Sequence, residues 1–375
     1  LWMVAVLAAG WAYSFASDAG TKRNHLQVTK LRSVATKDWP TGIAWSPDGK
    51  KIAAIHDFGR VISVWSSGGE PIASIKRDVT TGPYVGSSLA FMPDNRTILA
   101  PAPTPSHEEY SSLGLWDTET GALQRLVPPP SSGRIFQAVV ARIFALSPDY
   151  SLVAVRPIDS QEPISIYRTA DWSLIKTKQV WRSETVGLKP FLRSDVPGVT
   201  PAYEVMPHDF GETVNALAFA PNNDLAIGLI SGLVMMGSDP SSTFFQFIES
   251  ASTPVAGLAY SPNGKFIAVG TRNPSSSPPP KAHPAFLQIR DVESGNILVE
   301  DNTIPAVQNL AWDRDGQILA VITESDTMYL YRPFMDGSVH QSVPVSRGTS
   351  TLSFSPTKSE LAVSTPNGVD FYSIK

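Results

Sequence analysis

The sequence predicts an all-β fold: a seven-bladed β-propeller of four-stranded antiparallel blades, its ring closed by an N-terminal strand. Three observations predict it. A turn resembling Ser-Pro-Asp-Gly, flanked by two short apolar runs, returns seven times. Each return is followed by a third apolar run, most of which carry a Trp or Tyr. The last unit is one strand short, while an unassigned alternating strand precedes the first. Short strands punctuated by Gly, Pro and Asp read as all-β rather than βαβ.

Residues 42–75 are the clearest unit: GIAWS, the turn Pro47-Asp48-Gly49, then KKIAAIH, RVISVWS and PIASI. Pro presets φ at such a turn, Asp bonds back to backbone N–H groups, and Gly accepts φ above zero. Turn prolines follow at Pro93, Pro148, Pro221, Pro262 and Pro356, with Arg314 in the sixth unit's place. The spacing suits a four-stranded blade of about 40–45 residues with insertions. Asp48, Asp94, Asp149 and Asp315 are therefore turn residues first. The second strands are almost continuously apolar, as in Ile52-Ala53-Ala54-Ile55 and Ile318-Leu319-Ala320-Val321, which fits strands buried between blades. The seventh unit supplies TLSFS, ELAVS and VDFYSI, and residues 25–34, HLQVTKLRSV, are the natural donor of its missing outer strand. A closed ring leaves only short edges exposed.

With these units in hand, the chain resembles the WD40 repeat family in a divergent bacterial form. Trp116-Asp117 is the one intact Trp-Asp pair at the third-strand position; Trp65-Ser66, Tyr167-Arg168, Ile289-Arg290, Tyr331-Arg332 and Tyr372-Ser373 are read as its counterparts. The family's Gly-His pair is essentially absent, and TolB-like propellers share the turn. The resemblance covers residues 25–375. It implies a non-catalytic interaction or scaffold module, no cofactor, and a monomer whose N-terminal strand closes the ring.

The composition agrees. Charged residues are 17% of the chain and the formal net charge is −4, against about 25% charged in ordinary domains. No Lys/Arg run exists, so nucleic acid is not expected as a partner. The absence of cysteine removes disulfides, thiol catalysis and thiolate metal ligands together. The six histidines form no H-E-x-x-H motif, and no G-x-S-x-G elbow is present. Residues 1–16 begin with the apolar run LWMVAVLAAGWA. It is read as a signal peptide or a truncated membrane anchor, followed by a linker at 17–24. Both readings place the propeller in a bacterial periplasm or otherwise outside the cytoplasm, the second with a membrane tether.

Insertions break the period at 101–111, 183–212 and 272–285. Loops between second and third strands, and loops between blades, emerge on one side of a propeller, its top. The insertions therefore project from one face, where repeat proteins place their binding variation. The candidate partner-binding residues there are Arg60, His107, Glu108, Tyr110 and Arg156, with His208, Asp209, Arg272, His283 and Glu324. Mixed charge with Arg and Tyr suits a protein or peptide. His56 and Asp57 map to the same face. The alternative reading is an exported propeller enzyme with an axial metal or small-molecule site. No catalytic residue or metal ligand is singled out for it. A sensor domain cut from a larger protein is a third reading.

Overall fold

The computed structural model describes residues 26–77, 88–104, 107–127, 144–156, 164–178, 214–229, 233–235, 244–246, 254–272, 287–333 and 340–375. The readings placed on residues 1–16 and 17–24 lie outside them. The fold is a β-propeller of seven four-stranded antiparallel sheets. Among the described residues no helix is long and apolar enough to cross a membrane.

Blade 1 comprises Gly42–Trp45, Lys51–His56, Val61–Ser66 and Pro71–Lys76, inner to outer. Blade 2 is Ala90–Phe91, Thr97–Thr104, His107–Asp117 and Leu123–Val127. Blade 3 is Phe144–Leu146, Leu152–Val155, Ile164–Arg168 and Leu174–Lys178. Blade 4 is Val214–Phe219, Leu225–Leu229, Leu233–Met235 and Phe244–Gln246. Blade 5 is Val255–Tyr260, Phe266–Thr271, Leu287–Asp291 and Ile297–Asp301. Blade 6 is Val307–Trp312, Leu319–Thr323, Thr327–Tyr331 and His340–Pro344. Blade 7 is Leu352–Phe354, Glu360–Thr365 and Gly368–Ile374, completed by Val28–Ala35 as its outer strand. The expected donor strand is therefore the one that closes the ring.

One packing rule runs round the ring. Each inner strand carries a large-small-large triplet whose faces alternate with period 2. Ile43 and Trp45 pack toward blade 7, while Ala44 packs toward blade 2. Leu258 and Tyr260 pack toward blade 4 and Ala259 toward blade 6. Leu310 and Trp312 pack toward blade 5 and Ala311 toward blade 7. Bulky groups of one blade thus meet the small residue of the blade before it, at interior packing density. Two tryptophans also use that small residue's backbone: Trp45 Nε1 donates to Ser353 O at 3.1 Å and Trp312 Nε1 to Ala259 O at 3.2 Å. The third-strand aromatics Trp65, Trp116, Tyr167, Tyr331 and Tyr372 all pack against the preceding blade.

The bottom turns are built as their residues require. Ser46 Oγ donates to Asp48 Oδ1 at 2.7 Å, the Lys50 N–H donates to the same oxygen, and Gly49 has φ 66°. A Cβ on Gly49 would fall 2.0 Å from the Thr357 hydroxyl of blade 7, so the close approach of neighbouring turns also demands glycine. Neighbouring turns are stitched by Asn95 Oδ1 accepting the Asp48 N–H at 2.9 Å and by Asn223 Nδ2 donating to Asp149 Oδ2 at 2.8 Å. These bonds occupy the carboxylates structurally. The Asn223 amide first, and then the Ser147 hydroxyl, hold Asp149 well below the usual carboxylate range. Its folded pKa lies under its unfolded one. The stabilisation is therefore complete above about pH 4 and is lost as pH falls from there toward the folded value. Asp149→Asn should accordingly show a smaller drop in Tm between about pH 6 and about pH 3 than the parent chain. Thermal unfolding at the two pH values reads this directly, and an equal drop would remove Asp149 from the acid response.

Two sequence expectations are corrected. Residues 101–111 are not simply a loop insertion: the second strand of blade 2 extends to Thr104 and the third begins at His107. Pro101 pairs with Leu113, Ala102 with Ser112, Pro103 with Tyr110 and Thr104 with His107. In blade 5, the counterpart of Trp116-Asp117 is Arg290-Asp291 rather than Ile289-Arg290. Asp291 pairs with Phe266 as Asp117 pairs with Thr97. The ladder bulge falls just before Arg290 as it does before Trp116. The Asp291 N–H donates to Asn296 O as the Asp117 N–H donates to Ala122 O. Arg290 fits the aromatic position by folding its guanidinium onto Gln288 Oε1 and Gly295 O. Burial pushes its pKa down to about 10, against the pull of Glu300.

Candidate functional site

The turn between the second and third strands of blade 1 is the most strained described segment of the top face. Asp57, Phe58 and Gly59 have φ of 51°, 51° and 81°. Two of them carry side chains in the left-handed region, which costs an L-residue roughly 1–2 kcal/mol each. Phe58 nevertheless exposes its ring, at 53%. The strand enters the turn through the continuous apolar run Ile52 to Ile55 and leaves it through Val61 and Ile62, so the ladder fixes both ends. Arg60 closes the turn with its N–H on Asp57 O, and Arg60 O accepts from the Arg77 N–H.

Beside this turn lies the connection from the closing strand into blade 1. Lys37 Nζ is 3.9 Å from Asp57 Oδ2, and Trp39 is 46% exposed. The Trp39 ring rests on Gly348 in the connection between blades 6 and 7: a Cβ there would lie 2.5 Å from Cη2. Gly348 also has φ 83°. Trp39 and Phe58 are thus two exposed aromatics at the top of the closure, on segments that the Lys37–Asp57 ion pair links. His56, expected on this face, is buried beneath it. Its Nε2 is 2.9 Å from Ser63 Oγ, and its Nδ1 is buried without a hydrogen-bond partner. Burial pushes its pKa down, so a neutral ring is the stable form near neutrality. At the next junction the buried Arg77 guanidinium donates to Pro101 O of blade 2.

The other sequence-predicted residues spread round the ring. Arg156, Arg272 and Glu324 each follow the second strand of their blade, in blades 3, 5 and 6. The Arg272 N–H bonds Pro254 O and the Glu324 N–H bonds Ala306 O, both within the blade. Arg60 stands apart from them in blade 1. His107, Glu108 and Tyr110 lie on the strand His107–Asp117 of blade 2. His208, Asp209 and His283 lie outside the described residues. The described ones are therefore spread over five blades rather than gathered into one site. Sequence reasoning missed Trp39 and Phe58. The available signal was an aromatic within His-Asp-Phe-Gly, at a turn position where Asn, Asp or Gly is the usual choice.

Among the described residues no group of three or more His, Cys, Asp or Glu stands close enough to hold a metal ion. What these two exposed aromatics and the charged residues on their segments can do is offer apolar contact with polar orientation, as protein-binding patches do. No protein-family model matches the chain, and no curated protein matches it.

Proposed function

We propose that this chain is a WD40-like interaction module that binds a protein or peptide on the top of its propeller, centred on Trp39 and Phe58 at the ring closure. The observation that carries this is the strained turn. Left-handed Asp57 and Phe58 would be relieved by glycine, yet the chain keeps a large ring there and leaves it in solvent. Retained strain of this kind concentrates at functional sites. The WD40 assignment is supported by the Trp116-Asp117 pair, by the bulge before the third-strand aromatic in several blades, and by closure through the N-terminal strand. The same reading keeps the propeller outside the cytoplasmic membrane, on the apolar run of residues 1–12.

Phe58→Gly separates function from stability. It removes an exposed ring and a left-handed side chain, so stability should rise by about 1 kcal/mol. Binding should fall, since truncating an interface aromatic costs about 2 kcal/mol or more, at least thirtyfold in Kd. Capturing partners from an envelope extract with the tagged protein, then repeating with Phe58→Gly and Trp39→Ala, measures the second effect. A specific partner retained equally by both variants would sink the assignment of this patch.

A further inference from the structure

At the tops of the seams between blades 3 and 4, 4 and 5, and 5 and 6 a valine opens the inner strand, and one of these three seams departs from the other two. In blades 4, 5 and 6 the inner strand begins with a valine followed by a bulge: Val214 before Ala216, Val255 before Gly257, Val307 before Asn309. Val255 seats on Gly228 of blade 4, where a Cβ would lie 2.5 Å from its Cγ1. Val307 seats on Gly270 of blade 5, where the distance would be 2.4 Å. Each glycine stands two residues beyond the alanine that pairs with the inner small residue, Ala226 with Ala218 and Ala268 with Ala259. In blade 3 that alanine is Ala154, paired with Ala145. Two residues on stands Arg156, on the side that faces Val214.

An arginine therefore occupies the position that is glycine at the next two seams. The second strand of blade 3 stops at Val155, whereas those of blades 4 and 5 continue to Leu229 and Thr271. Arg156 is half-buried, and burial pushes its pKa down to about 10 with no carboxylate acting against the shift. Among the described residues no acceptor holds its guanidinium. On the opposite lip, the residue inserted at the blade 4 bulge is Asn215, whose Nδ2 is buried with no hydrogen-bond partner. A partly desolvated cation and a buried amide donor, neither with an acceptor among the described residues, are each stabilised when an acceptor completes them.

We propose that the top of the seam between blades 3 and 4 is a carboxylate-binding site, with Arg156 supplying charge and a bidentate fork and Asn215 a further N–H. It rests on the reading of the top face as a protein-binding surface, and it names what a partner brings there: one carboxylate, from an acidic side group or a free C-terminus. One guanidinium and one neutral amide balance one negative charge. A phosphate dianion would leave charge uncompensated in half-buried surroundings.

The test uses the full-length protein labelled with 15N-arginine. The Arg156 Nε–H resonance is assigned by Arg156→Lys and followed on titration with acetate, chloride and inorganic phosphate. Two capped peptides then distinguish the sources, acetyl-Ala-Ala-Ala with a free C-terminus and acetyl-Ala-Glu-Ala amide. Saturable shifts with acetate and with one of the peptides, weakened about tenfold by Asn215→Ala, would support the site. A response to chloride equal to that of acetate, or tighter saturation by phosphate, would overturn it. Arg156→Gly guards against a merely structural role: it should leave thermal stability unchanged or higher, because glycine restores the seam found at its two neighbours. A clear loss of stability in Arg156→Gly would assign the arginine to packing and overturn the proposal. Partner capture that depends on Phe58 while acetate fails to bind would remove this inference alone. Acetate binding without any captured partner would support the carboxylate site and count against the protein-binding reading.

Discussion

Phe371→Ala is expected to destabilise the ring more than any other single truncation of a described side chain, by about 3–5 kcal/mol. Phe371 is fully buried in the third strand of blade 7, where blades 7 and 1 meet. Its ring stands edge-on to Trp45 of blade 1, with centroids 5.8 Å apart and planes at 80°. The Arg32 guanidinium of the closing strand lies 4.1 Å above it. One side chain therefore touches the first blade, the last blade and the strand that joins them. Truncation opens a cavity lined by rigid strands, which relax little, so the cavity cost adds to the lost transfer energy. The polar bonds of the closing strand would survive: Lys30 to Asp370 at 2.8 Å, Ser33 Oγ to Asp370 Oδ1 at 2.6 Å, and Arg32 to Glu360 at 2.8 Å. These pairs are partly exposed and contribute less than the ring. Urea unfolding of Phe371→Ala and Phe371→Leu should therefore show a large drop in midpoint for the first and a smaller one for the second. Equal midpoints for Phe371→Ala and the parent would mean that closure does not depend on this core.

The number of blades and the identity of the closing strand were legible because local chemistry repeats. The turn from Ser46 to Gly49 is satisfied by its own side chains and recurs with the same logic at Asp94, whose carboxylate accepts the Arg96 and Thr97 N–H groups. The hairpin at 101–104 and 107–112 was not legible. Prolines at 101 and 103 remove two backbone donors and argue against a strand, yet the pairing of Pro101 with Leu113 and Pro103 with Tyr110 still forms. Arg290 was misread because an arginine gives no apolar signal at an aromatic position; its stem packs while Gln288 and Gly295 take its donors. On the candidate site, sequence mapping put Arg156 just after a second strand, and in the structure it directly follows Val155 of blade 3. Its distinguishing feature, standing where Gly228 and Gly270 stand in the next two blades, depends on strand pairing that periodicity alone does not fix. Trp39 and Phe58 were missed because an aromatic in a short strand-rich repeat is normally core, and only the left-handed turn and the shelf at Gly348 turn these two outward.

The seam device also makes a quantitative prediction where it is intact. Gly270→Ala should destabilise the fold by about 1–3 kcal/mol, although alanine favours a strand over glycine, because the new methyl would meet Val307 Cγ1 at 2.4 Å and Val307 Cβ at 2.8 Å. Neither atom has room to retreat, since Val307 is fully buried and packs with Leu287, Ile289 and Leu310. Val307→Ala alone should cost about 1–2 kcal/mol through lost burial. Combined, the two changes should cost less than their sum, with a coupling of about 1 kcal/mol or more, because the second alanine opens the space the first one needs. Chemical unfolding of the four proteins gives the cycle. Simple additivity would mean that the strands shift to absorb the methyl, and the glycine would then owe its place to the backbone rather than to the valine. Coupling of that size would identify valine on glycine as what closes the seams between blades 4 and 5 and between blades 5 and 6, and would set the arginine of blade 3 apart from its two neighbours.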